Sequence, residues 1–238
     1  GLAPLTQRYG INTRFIGESR LTEIYLTKPL IKKNNKISSA ELLCQTSMDL
    51  KKKYLEGHLR AHEHSWQVPE FSIHTLDKLV RLDSRCQIYL SHTDRAAVAG
   101  FITADLSSVR QLKYAKKKSL LIETGRAARM KSGIQPTDKA YVRYKVISSP
   151  WCKLGHEKEF MEILCEAYIA AYEDGYDALS IRDISDSLLP IEIQDAIMGV
   201  LPNILHYNRR VCVMTRNQDL DVLNGIKTPK WNFDAFLV

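Results

Sequence analysis

Lys153-Leu154-Gly155-His156-Glu157-Lys158 lies between an apolar run ending Val146-Ile147-Ser148-Ser149-Pro150 and an amphipathic helical pattern. A turn that hands a strand to a helix presents unsatisfied N–H groups and the positive end of the helix dipole, which together seat an anion such as phosphate. The plainer alternative is a simple corner, with Gly155 supplying the bend. Cys152 beside Lys153 sits where a thiol can be activated by a helix N-terminus. It has no identifiable histidine and acid partner, so an ordinary cysteine is expected. His58 and His62 fall four apart with His64 near, a spacing that can hold zinc, but HExxH is absent and no third ligand is apparent. No metal is expected.

The elements that must position this loop follow from periodicity. Ala140 to Ser148 reads as a strand. Phe160, Ile163, Leu164, Ala167 and Ala171 then form one apolar helical stripe that Gly175 ends, and Tyr176 to Ile181 reads as a short strand. So tight a connection makes a βαβ unit with parallel strands. Upstream, Arg20 to Ile31 reads as a strand, and Ser38 or Ser39 caps a helix running past Leu59. Ile73 to Leu82 reads as a second helix, with Pro69 before it as a boundary. Cys86–Ser91 and Ala97–Leu106 read as a hairpin. Downstream, Asp186 or Ser187 caps a helix with Pro190 in its first turn, and a second piece past Pro202 reaches Tyr207. Arg210–Thr215 and Phe233–Val238 read as closing strands.

No repeat, low-complexity tract or linker divides the 238 residues, so one domain over 1–238 is expected. Residues 1–20 read as an N-terminal extension and 107–139 as an irregular basic insertion. Net charge is 34 − 27 = +7, gathered in runs such as Lys51-Lys52-Lys53 and Lys116-Lys117-Lys118. Solvated faces account for such runs; a nucleic-acid partner, reached through Lys113–Lys131, is possible but not favoured, because no aromatic RNA-binding signature accompanies them. No apolar run is long enough to cross a bilayer, and Gly1 to Gly10 is too polar for a signal peptide. Five scattered cysteines without a CxxC pair fit reduced thiols in a cytoplasmic setting.

This order of elements, an antiparallel hairpin followed by a βαβ unit, resembles the GNAT acyltransferase superfamily from about Leu21 to Val238. The resemblance implies an α/β mixed sheet with a central splayed βαβ unit. It also implies acetyl-CoA or another acyl-CoA as substrate and an amine as acceptor, with no metal. In that family the equivalent loop reads V-x-P-x-x-R/Q-x-x-G-x-G/A. Gly155 takes the first glycine's place here, while Cys152 stands for Arg/Gln and Glu157 for the second glycine. Carried over, Ile147, Ser148, Lys153, Leu154, Gly155, His156, Glu157 and Lys158 bind the cofactor. Tyr207 protonates the departing CoA sulfur, with His206 as a neighbour able to exchange protons. The strand before the loop has no acid, so the base is left among Glu123, Asp105, His156 and the carboxylate of Val238, the last by analogy with N-myristoyltransferases. A non-catalytic protein of the same fold is the alternative.

Overall fold

The computed structural model describes residues 11–30, 38–61, 72–82, 85–92, 96–107, 116–135, 141–184, 197 and 199–216. In chain order its elements are β1 (Ile11–Tyr25), β2 (Ser38–Leu42), α1 (Met48–Ala61), α2 (Ile73–Leu82), β3 (Gln87–His92), β4 (Ala97–Asp105), α3 (Lys116–Lys131), β5 (Tyr144–Cys152), α4 (Glu157–Glu173), β6 (Ala178–Ile184) and β7 (Ile204–Arg216). The strands form one mixed sheet in the order β2-β3-β4-β5-β6-β1-β7. Only β5 and β6 pair in parallel; the other neighbours are antiparallel.

Alternation along the central strands sends two sets of side chains to opposite faces. Ala99, Phe101, Ile147, Leu179 and Ile181 meet the stripe of α4, led by Phe160, Ile163, Leu164 and Tyr168. On the other face Ile88, Leu90, Ile102 and Ala104 pack against Tyr54, Leu55, Leu76 and Leu79 of α1 and α2. Farther along that face, Tyr25, Tyr144, Val146 and Ala178 lie under Ile122 of α3. The sheet is therefore covered on both sides, and its central strands read as continuous apolar runs.

Four sequence expectations change. Ser38 and Ser39 lie in β2, and the cap of the following helix is Ser47, whose Oγ accepts the Leu50 N–H at 3.2 Å. Strand pairing to β3 wins the earlier serines, and Leu43, buried just past β2, carries the chain into the core. Residues 11–20 are not an extension: they are the first two-thirds of β1, which pairs with both β6 and β7. The insertion over 107–139 contains the sixteen-residue α3. Its inward positions are Ile122, Gly125, Arg126 and Arg129, at helical spacing but partly charged, so an apolar stripe was not there to be seen. Last, β5 starts and ends about four residues later than the periodicity indicates. The helix start at Asp186 or Ser187, Pro69, His62, His64, Lys113 and the strand to Val238 lie outside the described residues.

Arg126 and Arg129 are buried because one carboxylate receives both. Arg126 donates to Asp177 through Nε at 3.0 Å and Nη2 at 2.7 Å, and Arg129 donates through Nη2 at 2.6 Å. Arg129 also donates to the Leu26 carbonyl, and the Arg143 N–H reaches Asp177 at 3.0 Å. This knot ties α3 to the roots of β1, β5 and β6. Burial pulls the Arg129 guanidinium down from its ordinary range, and the Asp177 charge works against that shift.

Candidate active site

The site begins with a backbone irregularity. Gly100 of β4 pairs with Trp151 of β5, and Ile102 pairs with Ser148, so two steps on β4 face three on β5. The extra residue is a bulge at Ser149-Pro150, with Ser149 at φ +47°. Proline has no N–H for a ladder and is tolerated at such a point. The Ser-Ser-Pro that reads as a strand end is thus a kink within β5. The kink is held from above: Tyr54 of α1 donates its hydroxyl to the Ser149 carbonyl at 3.0 Å. Trp151, one residue past it, lies between Gly57 of α1 and Gly100, where a Cβ would approach its ring to 2.2 Å and 3.1 Å respectively.

The consequence is a divergence of the two parallel strands. Their pairing runs Tyr144↔Ala178, Lys145↔Leu179, Val146↔Ser180 and Ile147↔Ile181, and then stops. Beyond that point β5 continues beside β4 through Cys152, and β6 continues beside β1 through Ile184. A gap therefore opens between the C-terminal halves of β5 and β6, bounded on one side by the bulge.

The loop 153–156 rises from this gap into α4. The Lys153 N–H donates to Val98 at 2.8 Å and the His156 N–H donates to Lys153 at 3.0 Å, closing a tight turn. Gly155 takes φ +83°, a conformation that favours glycine, and a Cβ there would meet nothing within 4 Å. Leu154 is 81% exposed. His156 is the residue before the helix, but its side chain does not cap it; Nδ1 lies 3.4 Å from Glu159 Oε1. The cap is Glu157. Its Oε1 accepts the Gly155 N–H at 2.9 Å. Its own N–H and then that of Gly155 hold the carboxyl below the ordinary glutamate range. Glu157 thus turns back onto the loop amides and stands where an incoming anion would. Lys158 extends outward, 3.9 Å from Glu162.

Ile147, Ser148, Lys153, Leu154, Gly155, His156, Glu157 and Lys158 are accordingly brought together, along the rim of the gap and the first turn of α4. Cys152 is not an activated thiol: burial first, and then the nearby Glu157 and Glu159 charges, push it up to about 12. His206 and Tyr207 do not close a helix; they lie within a strand. Helical pairing ends with Leu201 N–H on Ile197, and β7 has begun at Ile204. Pro202 and the left-handed Asn203, at φ +52°, turn the chain into the strand instead. Register sets His206 opposite Thr22 and Tyr207 opposite Leu21, which in turn face Ile181 and Arg182. Tyr207 is thus level with the mouth of the gap but on the strand beyond β1, about 10 Å from β6 in the plane of the sheet.

The candidate bases fare unevenly. Glu123 is exposed on α3, 4.0 Å from Arg126. Burial alone would raise the Asp105 carboxyl, but hydrogen bonds from Ser107 and Tyr176, with Arg85 beside it, hold it below its ordinary value. Asp105 also pairs with Lys145, at the closed end of β5. Val238 lies outside the described residues. A carboxylate the sequence reading missed is Glu23 on β1, 5% exposed, which accepts the Tyr25 hydroxyl at 2.7 Å. Its signal was a lone acid inside the strand run Leu21-Thr22-Glu23-Ile24-Tyr25-Leu26. Among the described residues no group of three or more His, Cys, Asp or Glu is placed to hold a metal ion, and no helix is long and apolar enough to cross a membrane.

No protein-family model and no curated protein matches the chain. Solved structures do. A GCN5-related N-acetyltransferase from Sphaerobacter thermophilus is 13% identical over 90% of this chain and 55% of its own, with a TM-score of 0.46. A tandem GNAT protein from the clavulanic acid biosynthesis pathway is 12% identical over 90% and 58%, at 0.47. N-myristoyltransferase of Saccharomyces cerevisiae with bound myristoyl-CoA is 9% identical over 87% and 56%, at 0.47. The chain spans between 55% and 58% of the length of these three. The mixed seven-stranded sheet, with one parallel pair that a bulge forces apart beside a strand-to-helix loop, resembles in fold the GNAT superfamily.

Proposed function

We propose that the chain is an acyl-CoA-dependent N-acyltransferase, moving an acetyl group from acetyl-CoA to a small-molecule or protein amine. The observation that carries this is the divergence of β5 and β6 past Ile147 and Ile181, directly below the loop 153–156. A thioester laid in that gap meets strand backbone beyond the end of the β5–β6 ladder, and fixed N–H donors aimed at such a point stabilise a developing oxyanion. The pyrophosphate then lies against the amides of Lys153 to Lys158, once Glu157 has swung from the Gly155 N–H. Gly155 leaves room for that approach. Tyr207 donates a proton to the departing thiolate, with His206 beside it in the chain. The free thiols of Cys44, Cys86, Cys152 and Cys165 fit a reducing, cytoplasmic setting.

One observation favours a second reading, a non-catalytic protein of the same fold: the Glu157 carboxylate already occupies the loop. Nucleic-acid binding draws less support, because Arg126 and Arg129 of the basic segment are turned inward. Turnover of acetyl-CoA with a panel of amines, for wild type and Tyr207→Phe at equal folded concentration, separates these. Loss of an acid lowers the rate about 10²- to 10⁴-fold, whereas a change within about threefold removes Tyr207 from the mechanism. No turnover by the wild type supports the non-catalytic reading.

A further inference from the structure

The face of the sheet opposite α4 is apolar where β5, β6 and β1 start to run together, with Tyr25, Tyr144, Val146 and Ala178 side by side. It turns polar at the level where β5 and β6 part. Register sets Ser180 of β6 opposite Val146 on one side and Glu23 of β1 on the other, and Ser148 follows Val146 by one pleat. Residues directly opposite share a face, so Ser148, Ser180 and Glu23 form one polar floor. A carboxylate is among the costliest groups to bury. Here the Tyr25 hydroxyl, 2.7 Å away, fixes its position, and half-buried Ser180 beside it leaves a way in. Leu205 and Tyr207 pair with Glu23 and Leu21, so the proposed acid is a diagonal neighbour of Glu23, about 7–8 Å away between backbones.

We infer that the acceptor is a primary amine that enters over Ser180, and that Glu23 attracts its ammonium form and accepts its proton. The inference rests on the acyl-CoA reading above. Glu23 takes the ammonium proton and releases it to solvent; the free amine then attacks the thioester carbonyl, a C–N bond forms and the C–S bond breaks. The amine's surplus proton goes to Glu23, and the thiolate takes the Tyr207 proton. Glu23 later returns a proton to the tyrosinate, so an amide and free CoA thiol leave an unchanged enzyme.

The test uses the full chain with acetyl-CoA and three amines: benzylamine, lysine ethyl ester and spermidine. Glu23→Gln is expected to lower kcat/KM by about 10²-fold or more with acetyl-CoA affinity unchanged, and Glu23→Asp to recover part of the loss. Glu23→Gln turnover within about threefold of wild type overturns the assignment. Should Glu23→Gln fail to fold, Ser180→Ile decides: amine KM is expected to rise about tenfold at constant acetyl-CoA affinity, and an unchanged KM overturns it. A wild type that binds acetyl-CoA but acetylates no primary amine overturns this inference alone. A wild type that does not bind acetyl-CoA removes both.

Discussion

Gly57→Ala puts the bulge and its cover to the test. In an ordinary helix this change stabilises, because alanine exceeds glycine by about 1 kcal/mol in helix propensity. In α1 the new methyl would meet Trp151 ring carbons at 2.2, 2.4 and 2.9 Å. The ring cannot give way easily, since Gly100 backs it and Tyr54 packs 6.2 Å away, centroid to centroid. Overpacking of this kind costs about 1–3 kcal/mol and occasionally more, and a contact this short belongs at the upper end. Net of propensity, a loss of about 1–2 kcal/mol is expected, or roughly 2–8 °C in melting temperature for a chain of this length. The assay is thermal unfolding by circular dichroism, paired with Gly57→Ala/Trp151→Leu, in which the smaller side chain should recover most of the loss. A single variant that melts at or above wild type would refute the packing of α1 on the strand that carries the bulge.

Three other outcomes follow from the same geometry. Asp177→Asn strips Arg126 and Arg129 of the carboxylate they share, and breaking a buried pair in this way should cost about 3–5 kcal/mol by denaturant titration. Cys152, with its thiol pushed up to about 12, should resist iodoacetamide at pH 8 while exposed Cys44 is labelled, as read by mass spectrometry. Glu157 has a depressed folded pKa, so its bond to the Gly155 N–H is present above the unfolded glutamate value of about 4.3 and lost as pH falls through the lower folded value. The Gly155 amide resonance should move in that acidic window in wild type and stay put in Glu157→Gln, which should also bind acetyl-CoA more tightly at pH 7.

The βαβ unit was legible because its signals are local. The stripe from Phe160 to Ala171 and the stop at Gly175 needed no tertiary information, and α2 fell on Ile73–Leu82 as its periodicity indicates. The hairpin of β3 and β4 was equally plain. What escaped depends on distant partners. Arg126 and Arg129 look like surface charge until Asp177, some fifty residues on, draws them in. Ser149-Pro150 looks like a strand end, because a bulge is defined by the neighbouring strand and not by its own sequence. Residues 11–20 gain strand character from β7, with β6 joining on the other side only at Ser19 and Arg20. Tyr207 reads as closing a helix because Pro202 interrupts an apolar run, whereas the left-handed Asn203 turns the chain there into β7. Glu23 is hidden in the sequence for a related reason: only the pairing with Ser180 shows which face it shares.

The most direct measurement is an acetyl-CoA titration of the wild-type chain and of Gly155→Val, followed by thermal unfolding and calorimetry. A ligand that binds only the native state at 100 times its Kd adds about 2.7 kcal/mol, or roughly 5–11 °C for a chain of this size. The expected result is a rise of that order in wild type. Gly155→Val, strained at φ +83° and crowding the approach of phosphate, should stay folded and give a much smaller rise. A wild type whose melting temperature and heat signal ignore acetyl-CoA, with Glu157→Gln equally indifferent, would contradict the central claim and leave residues 153–156 as a corner between a strand and a helix.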